Sequence, residues 1–175
     1  MRTTRSRALA RALATGASAA LCLTTAACDA DPVSPNPTEQ AVATLRAATS
    51  RYHDLEAAKA DGFVFLHGCE SRAGEGPVGM LYVHMGRLTD GRLDPALPDA
   101  LIYEPGAGAA APTLVGAELA VPYALWTDPT SPQFLGHTFQ REDEFGVFGL
   151  HVWVWRDNPD GLFAQSHPRV SCGTA

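Results

Sequence analysis

Apolar and polar positions change rhythm twice along the chain. Residues 12–27 are small or apolar and uncharged, and they follow Arg2, Arg5, Arg7 and Arg11. That order is the order of a secretory signal, and the apolar run is too short for a stable membrane span. Residues 29–37, DADPVSPNP, carry three prolines in nine positions. They predict an extended tether, because proline breaks both helix and central strand. Beyond it, Val42, Leu45, Tyr52 and Leu55 fall at spacings of 3, 7 and 3. This stripe predicts an amphipathic helix capped by Thr38, running to about Ala60 and ended by Asp61-Gly62.

After Gly62 the period shortens to that of strands. Residues 63–66 are a short apolar run. Residues 78–85 alternate, with Met80, Tyr82 and His84 on one side and Leu81, Val83 and Met85 on the other. Residues 101–104 and 113–121 predict a hairpin around a Gly/Ala/Pro loop, and 134–140 and 145–155 predict further strands. A helical turn is expected over 122–126 and a type I turn at Asn158-Pro159-Asp160-Gly161. The strands lie too close together for parallel crossovers. The predicted fold is therefore α+β: an N-terminal amphipathic helix packed on an antiparallel sheet, partly closed like a barrel. Residues 1–28 read as a signal, 29–37 as a tether and 38–175 as one domain.

Composition sharpens the compartment. Thr25-Ala26-Ala27 before Cys28 resembles a bacterial lipobox with Thr in place of the usual Leu. Cys28 is thus the expected lipidation site, with plain cleavage near Ala27 as the alternative. The leader holds four of the 13 Lys+Arg and none of the 19 Asp+Glu, so its removal leaves a net charge of −10. That sign repels phosphate backbones, and no nucleic-acid partner is expected. Cys22 leaves with the signal. Cys69 and Cys172 remain, and in an exported chain they predict a disulfide closing about 100 residues. A nucleophilic Cys69 beside His67 is the competing reading.

Catalytic signatures are sparse. Residues 106–111 formally fit a dinucleotide fingerprint, but Pro112 and a strand follow instead of a helix. Glu142-Asp143-Glu144 reads as a solvated turn. Metal-competent side chains do recur inside strands that otherwise read as core: His84, Glu104, Glu118 and His151. A buried ionised carboxylate costs several kcal/mol unless paired, so these four form a candidate divalent-metal site for Zn, Mn, Fe or Cu. The bland reading is that they are solvent-facing or hydrogen-bonded polar residues. Tyr82, His137 and Trp153 are candidates for the wall of a small-ligand pocket. His67 and His167, drawn together by the disulfide, are a second possible metal pair.

The segments GPVGMLYVHM (from Gly76), ALIYEP (from Ala100), LVGAELAVP (from Leu114) and LHVWVWRDNPDGLFAQSHPRVSC (from Leu150) resemble a family of exported bacterial proteins, some of them lipoproteins. That family ends in an HVWxW…NPxGxF…VSC motif, and no reaction attaches to it. The resemblance implies that His84, Glu104, Glu118, His151, Cys69 and Cys172 are characteristic positions, whereas His53 and His167 are replaceable. The expectation is an exported protein, anchored by lipid on the outer face of the cell membrane or released, with a metal or small-ligand site. The rivals are a non-catalytic module for an apolar small molecule and a structural or interaction domain without a site.

Overall fold

The computed structural model describes residues 36–72 and 76–173. The leader, Cys28 and the tether up to residue 35 lie outside the described residues. The first helix, α1 (Pro37–Thr49), starts earlier than the hydrophobic stripe implies. Asn36 rather than Thr38 is its cap: the Asn36 side chain accepts from the Glu39 N–H (2.9 Å), and Glu39 accepts from the Asn36 N–H (3.0 Å). Pro37 occupies the first helical position, where its missing N–H has no intrahelical partner to lose.

The helix does not continue unbroken to Ala60. It tightens to a 3-10 turn over Ser50–His53, and Asp54 then restarts it as α2 (Leu55–Ala60) by accepting from the Glu56 N–H at 3.0 Å. An aspartate that bonds local backbone competes with the helix ladder and favours a cap. Gly62, at φ +96°, closes α2: its N–H donates to Lys59 O (3.0 Å) and that of Phe63 to Ala58 O (3.1 Å). A left-handed residue at this position favours glycine.

Six strands form one sheet: β1 (Val64–His67), β2 (Met80–Val83), β3 (Ala100–Glu104), β4 (Thr113–Pro122), β5 (Gln140–Glu142) and β6 (Val147–Val152). Their order is β1-β2-β3-β4-β6-β5, and every neighbouring pair is antiparallel. The sheet does not close. β1 and β5 are its two edges, so the barrel-like closure expected from the strand count is replaced by an open sheet. The strand predicted at 134–140 is split, because Leu135 (φ 52°) and Gly136 (φ 81°) turn Gln133–Phe134 back onto His137–Thr138.

One face of the sheet takes the helices. Leu45, Tyr52, Ala58 and Phe63 pack on Tyr82, Leu101, Tyr103, Leu114, Ala117 and Val152. Tyr103 donates its hydroxyl to Tyr52 O (2.7 Å), and Trp155 donates to the Thr49 hydroxyl (2.9 Å). The other face carries Leu81, Ile102, Val115 and Trp153 under Val170 of the C-terminal segment. Cys69 and Cys172 form a disulfide, with Cα atoms 5.1 Å apart, beside this second cluster. Such a bond is consistent with an exported protein. A bulge decides which face Glu118 meets. Ile102 pairs with Gly116 but Tyr103 with Leu114, so β4 carries one extra residue there. The alternation slips by one, and Leu114 joins the helix face while Glu118 faces away from it.

Candidate metal centre

The pairing of β4 with β6 sets Glu118 directly opposite His151. The pairing of β6 with β5 brings Glu142 opposite Val147, two residues from Gly149. Side chains two apart share a face, so the two carboxylates and the imidazole converge on the side away from the helices. All three are buried, with 4 %, 5 % and 2 % of their surfaces exposed. His151 Nε2 lies 3.5 Å from Glu142 Oε1 and 3.9 Å from Glu118 Oε2. One ligand atom from each residue falls within 4.8 Å of the other two, so the group can hold a metal ion.

Glycine makes this convergence possible. A Cβ at Gly149 would run into Glu118 Oε1 and would stand 2.7 Å from Glu142 Oε1. A strand-interior glycine weakens the strand, and here it gives two carboxylates the space they occupy. Gln165 orients the site from outside. His151 Nδ1 lies 2.7 Å from Gln165 O, and a carbonyl only accepts, so Nδ1 carries the proton. In a neutral ring so protonated, the lone pair of Nε2 would face the carboxylates. The Gln165 amide donates to Glu142 Oε1 at 3.1 Å. Trp153 fixes the segment that carries Gln165, with its indole N–H on Ala164 O (2.6 Å) and its backbone N–H on Leu162 O (2.9 Å).

A fourth acid lies alongside. Asp99 is 1 % exposed, and its Oδ2 accepts from the Ala120 N–H at 2.8 Å. Its backbone bonds Glu118 O and the His84 N–H, but its Oδ1 has no hydrogen-bond partner. Burial raises this carboxyl to about 7; Asp90 adds to the effect, while the Ala120 N–H and Arg87 oppose it. Asp99, Glu118 and Glu142 all line a cavity of about 150 Å³ whose remaining wall is apolar, from Leu81 and Val83 to Phe145 and Val147.

The structure redistributes the residues picked out in the sequence. Glu118 and His151 come together, but His84 and Glu104 do not join them. His84 shares the helix side of the sheet, meets the Phe63 ring edge-on at 5.4 Å, and caps the short helix α3 (Met85–Leu88) by accepting from the Arg87 N–H. Glu104 lies at the far end of β3, bound to Arg156 (2.6 Å) and to the Ser171 N–H (2.8 Å). Burial pushes its carboxyl up, but Arg156 and the Ser171 N–H together hold it below the usual range.

Tyr82, His137 and Trp153 do not line the cavity. Tyr82 points to the helices, His137 stacks on Phe163 at 3.9 Å, and Trp153 fills the second apolar cluster. His67 pairs with Glu70 at 2.7 Å, whereas His167 is fully buried edge-on to Trp153, so the two do not share partners. Glu142, Asp99 and Gln165 are the residues that periodicity misses. Glu142 sits in an acidic triplet that reads as a solvated turn, and Asp99 follows a turn-rich stretch. Gly149, alone in an apolar strand two residues before His151, is the available signal of a close approach. No family model, no curated protein and no solved structure matches this chain, so its own residues carry the functional argument.

Proposed function

We propose that this is an exported protein, held to the outer face of the cell membrane by lipid on Cys28, whose β-rich domain binds a divalent metal ion at Glu118, Glu142 and His151. The observation that carries the metal reading is the convergence of two buried carboxylates on Nε2 of an imidazole whose other nitrogen is held by Gln165. Charge supports it. Two ionised carboxylates and an imidazolium would leave a net negative charge out of water, at a cost of several kcal/mol. A dication with a neutral imidazole balances the group. Two oxygens and one nitrogen suit Zn, Mn or Fe, and three protein ligands leave a position open toward the cavity. Gln165 then acts as the outer partner that fixes the histidine tautomer and one carboxylate. A metal with an open position lowers the pKa of bound water, which is the chemistry such a site would offer.

The full chain, exported and purified without a polyhistidine tag, should carry about one metal ion per molecule by elemental analysis. Glu142→Gln and His151→Ala should each remove it, whereas His84→Ala and Glu104→Gln should leave it in place. Full metal content in both Glu142→Gln and His151→Ala would sink the site. The anchor is tested separately: Cys28→Ser should move the protein out of the membrane fraction.

A further inference from the structure

The cavity beside the metal residues is apolar wherever a ligand could touch it. Asp99, Glu118 and Glu142 belong to its wall, but their polar atoms are spent inside the protein. Asp99 Oδ2 accepts from the Ala120 N–H and Oδ1 is buried; Glu142 Oε1 accepts from Gln165; Glu118 Oε2 lies toward His151. Almost all of the accessible wall is therefore hydrocarbon. Water is a poor occupant of such a space, since a held water needs about two to four polar partners. The carboxyl of Asp99, raised chiefly by burial, agrees with a dry surrounding.

The space is not a general looseness of packing. Leu101, Ile102 and Leu119, on the same strands, are fully buried, so the core closes elsewhere. Here the chain places alanine at two wall positions: Ala100 stands opposite Glu118, and Ala120 lies two residues along from it. A longer apolar side chain at either would take up the space, and an unfilled cavity costs stability in proportion to its volume. The wall also reaches the surface. Leu66 and Met85 belong to it and are 42 % and 51 % exposed, so the way in from solvent is itself apolar. A dry cavity of about 150 Å³ takes a molecule of roughly benzene size.

We propose that this cavity is a binding site for a small neutral apolar molecule, about the size of benzene or toluene, which enters past Leu66 and Met85 and packs against Leu81, Val83 and Val147. The proposal goes beyond the metal reading and does not rest on it, because these side chains enclose the space whether or not an ion lies among Glu118, Glu142 and His151. Selectivity follows from the wall. A hydrocarbon loses nothing on entering. A hydroxyl gives up its hydration for no partner, and a charged head gives up far more.

The test uses one ring with four substituents: toluene, phenol, benzylammonium and benzoate. Each is titrated calorimetrically into the chelated full chain carrying Cys28→Ser, so that neither lipid nor detergent takes up the hydrocarbon. Toluene should bind saturably at one site with a negative heat-capacity change, the mark of apolar burial. Phenol, of nearly the same shape, should bind about tenfold more weakly, and the two ions should not bind. Val83→Phe extends a ring into the cavity from β2, away from the metal residues. It should weaken toluene at least about tenfold while zinc uptake stays unchanged. Absence of saturable toluene binding by the chain with Val83 intact would overturn the proposal without recourse to that variant. So would benzylammonium or benzoate binding as tightly as toluene. Undiminished toluene binding by folded Val83→Phe would place the hydrocarbon outside the cavity and overturn it too. Toluene binding without zinc uptake would defeat the metal reading alone, and zinc uptake without toluene binding would defeat the apolar ligand alone.

Discussion

The two faces of the sheet are built from the same strands and serve opposite ends. On the helix side, Leu101, Tyr103, Leu119 and Val152 are buried to within 2 % of completely, and the polar atoms among them find partners: the Tyr103 hydroxyl on Tyr52 O, the Trp155 indole on Thr49. On the far side, one half is filled by Trp153, Ile102 and Val115, and the other half holds Glu118, Glu142, His151 and Asp99 around a cavity. Each fully buried Leu or Val adds about 1.5–3 kcal/mol to folding. A buried ionised carboxylate subtracts several unless it is paired. The helix side explains why the protein folds. The acidic half of the far side adds no comparable apolar burial, and under the metal reading its rationale lies in what it binds.

The difference can be broken at several points, beginning with the largest effect. The far side's filled half depends on a covalent staple as well as on packing, because the segment bearing Val170 is bridged at Cys172 to Cys69. Removing the bridge with Cys69→Ser and Cys172→Ser should cost about 4–5 kcal/mol in urea unfolding, as the chain-entropy account gives for a loop of 103 residues. A loss below about 1 kcal/mol would show that packing alone holds the C-terminal segment.

Asp99 gives the next effect, with a defined sign. Its carboxyl rises from 3.8 to about 7 on folding, chiefly through burial. Between these values the folded protein holds a proton that the unfolded chain has released. Stability contributed by this group therefore falls as pH rises through about 4 to 7, and changes no further above that window. Asp99→Asn removes the titration. Relative to the variant, the parent should lose on the order of 4 kcal/mol across the window, read from urea midpoints at several pH values. Parallel pH curves for the two proteins would mean that the acidic half imposes no cost at this residue.

The helix face was legible in the sequence, and the acidic half was only partly so. Val42, Leu45, Tyr52 and Leu55 announce their face because a helix has a fixed period. Strand alternation likewise separates Leu119 from Glu118. Alternation is a local rule, however, and two features override it. The bulge at Ile102 and Tyr103 moves Leu114 to the face opposite Glu118. The edge strand β5 is three residues long and carries Glu142 inward from a segment whose composition is that of a turn. His84 and Glu104 lie apart from the site for a third reason. Strand position does not show how far along the sheet a side chain lies, and Arg156, which claims Glu104, belongs to a segment more than fifty residues away. The disulfide needed no geometry, since Cys69 and Cys172 are the only two cysteines of residues 38–175.

Glu118 and Leu119 are neighbours in β4 that face opposite ways, and they put the contrast in a single pair of substitutions. Leu119 is fully buried among Val121, Phe139, Phe148 and Leu150, so Leu119→Ala should cost about 2–5 kcal/mol through lost burial and the cavity left behind. Glu118→Gln keeps the volume and removes one buried charge from a group that holds two acids and an imidazole. In chelated protein its effect should be within about 1 kcal/mol of zero, because the swap keeps the shape and exchanges one of two neighbouring buried acids for a neutral amide. With saturating zinc the two proteins should separate. The parent gains stability with ligand concentration and the variant does not, since binding to the folded state alone raises unfolding free energy by mass action. If Glu118→Gln instead destabilises the chelated protein as much as Leu119→Ala does, then the carboxylate serves folding on its own account, and the two faces differ in chemistry but not in purpose.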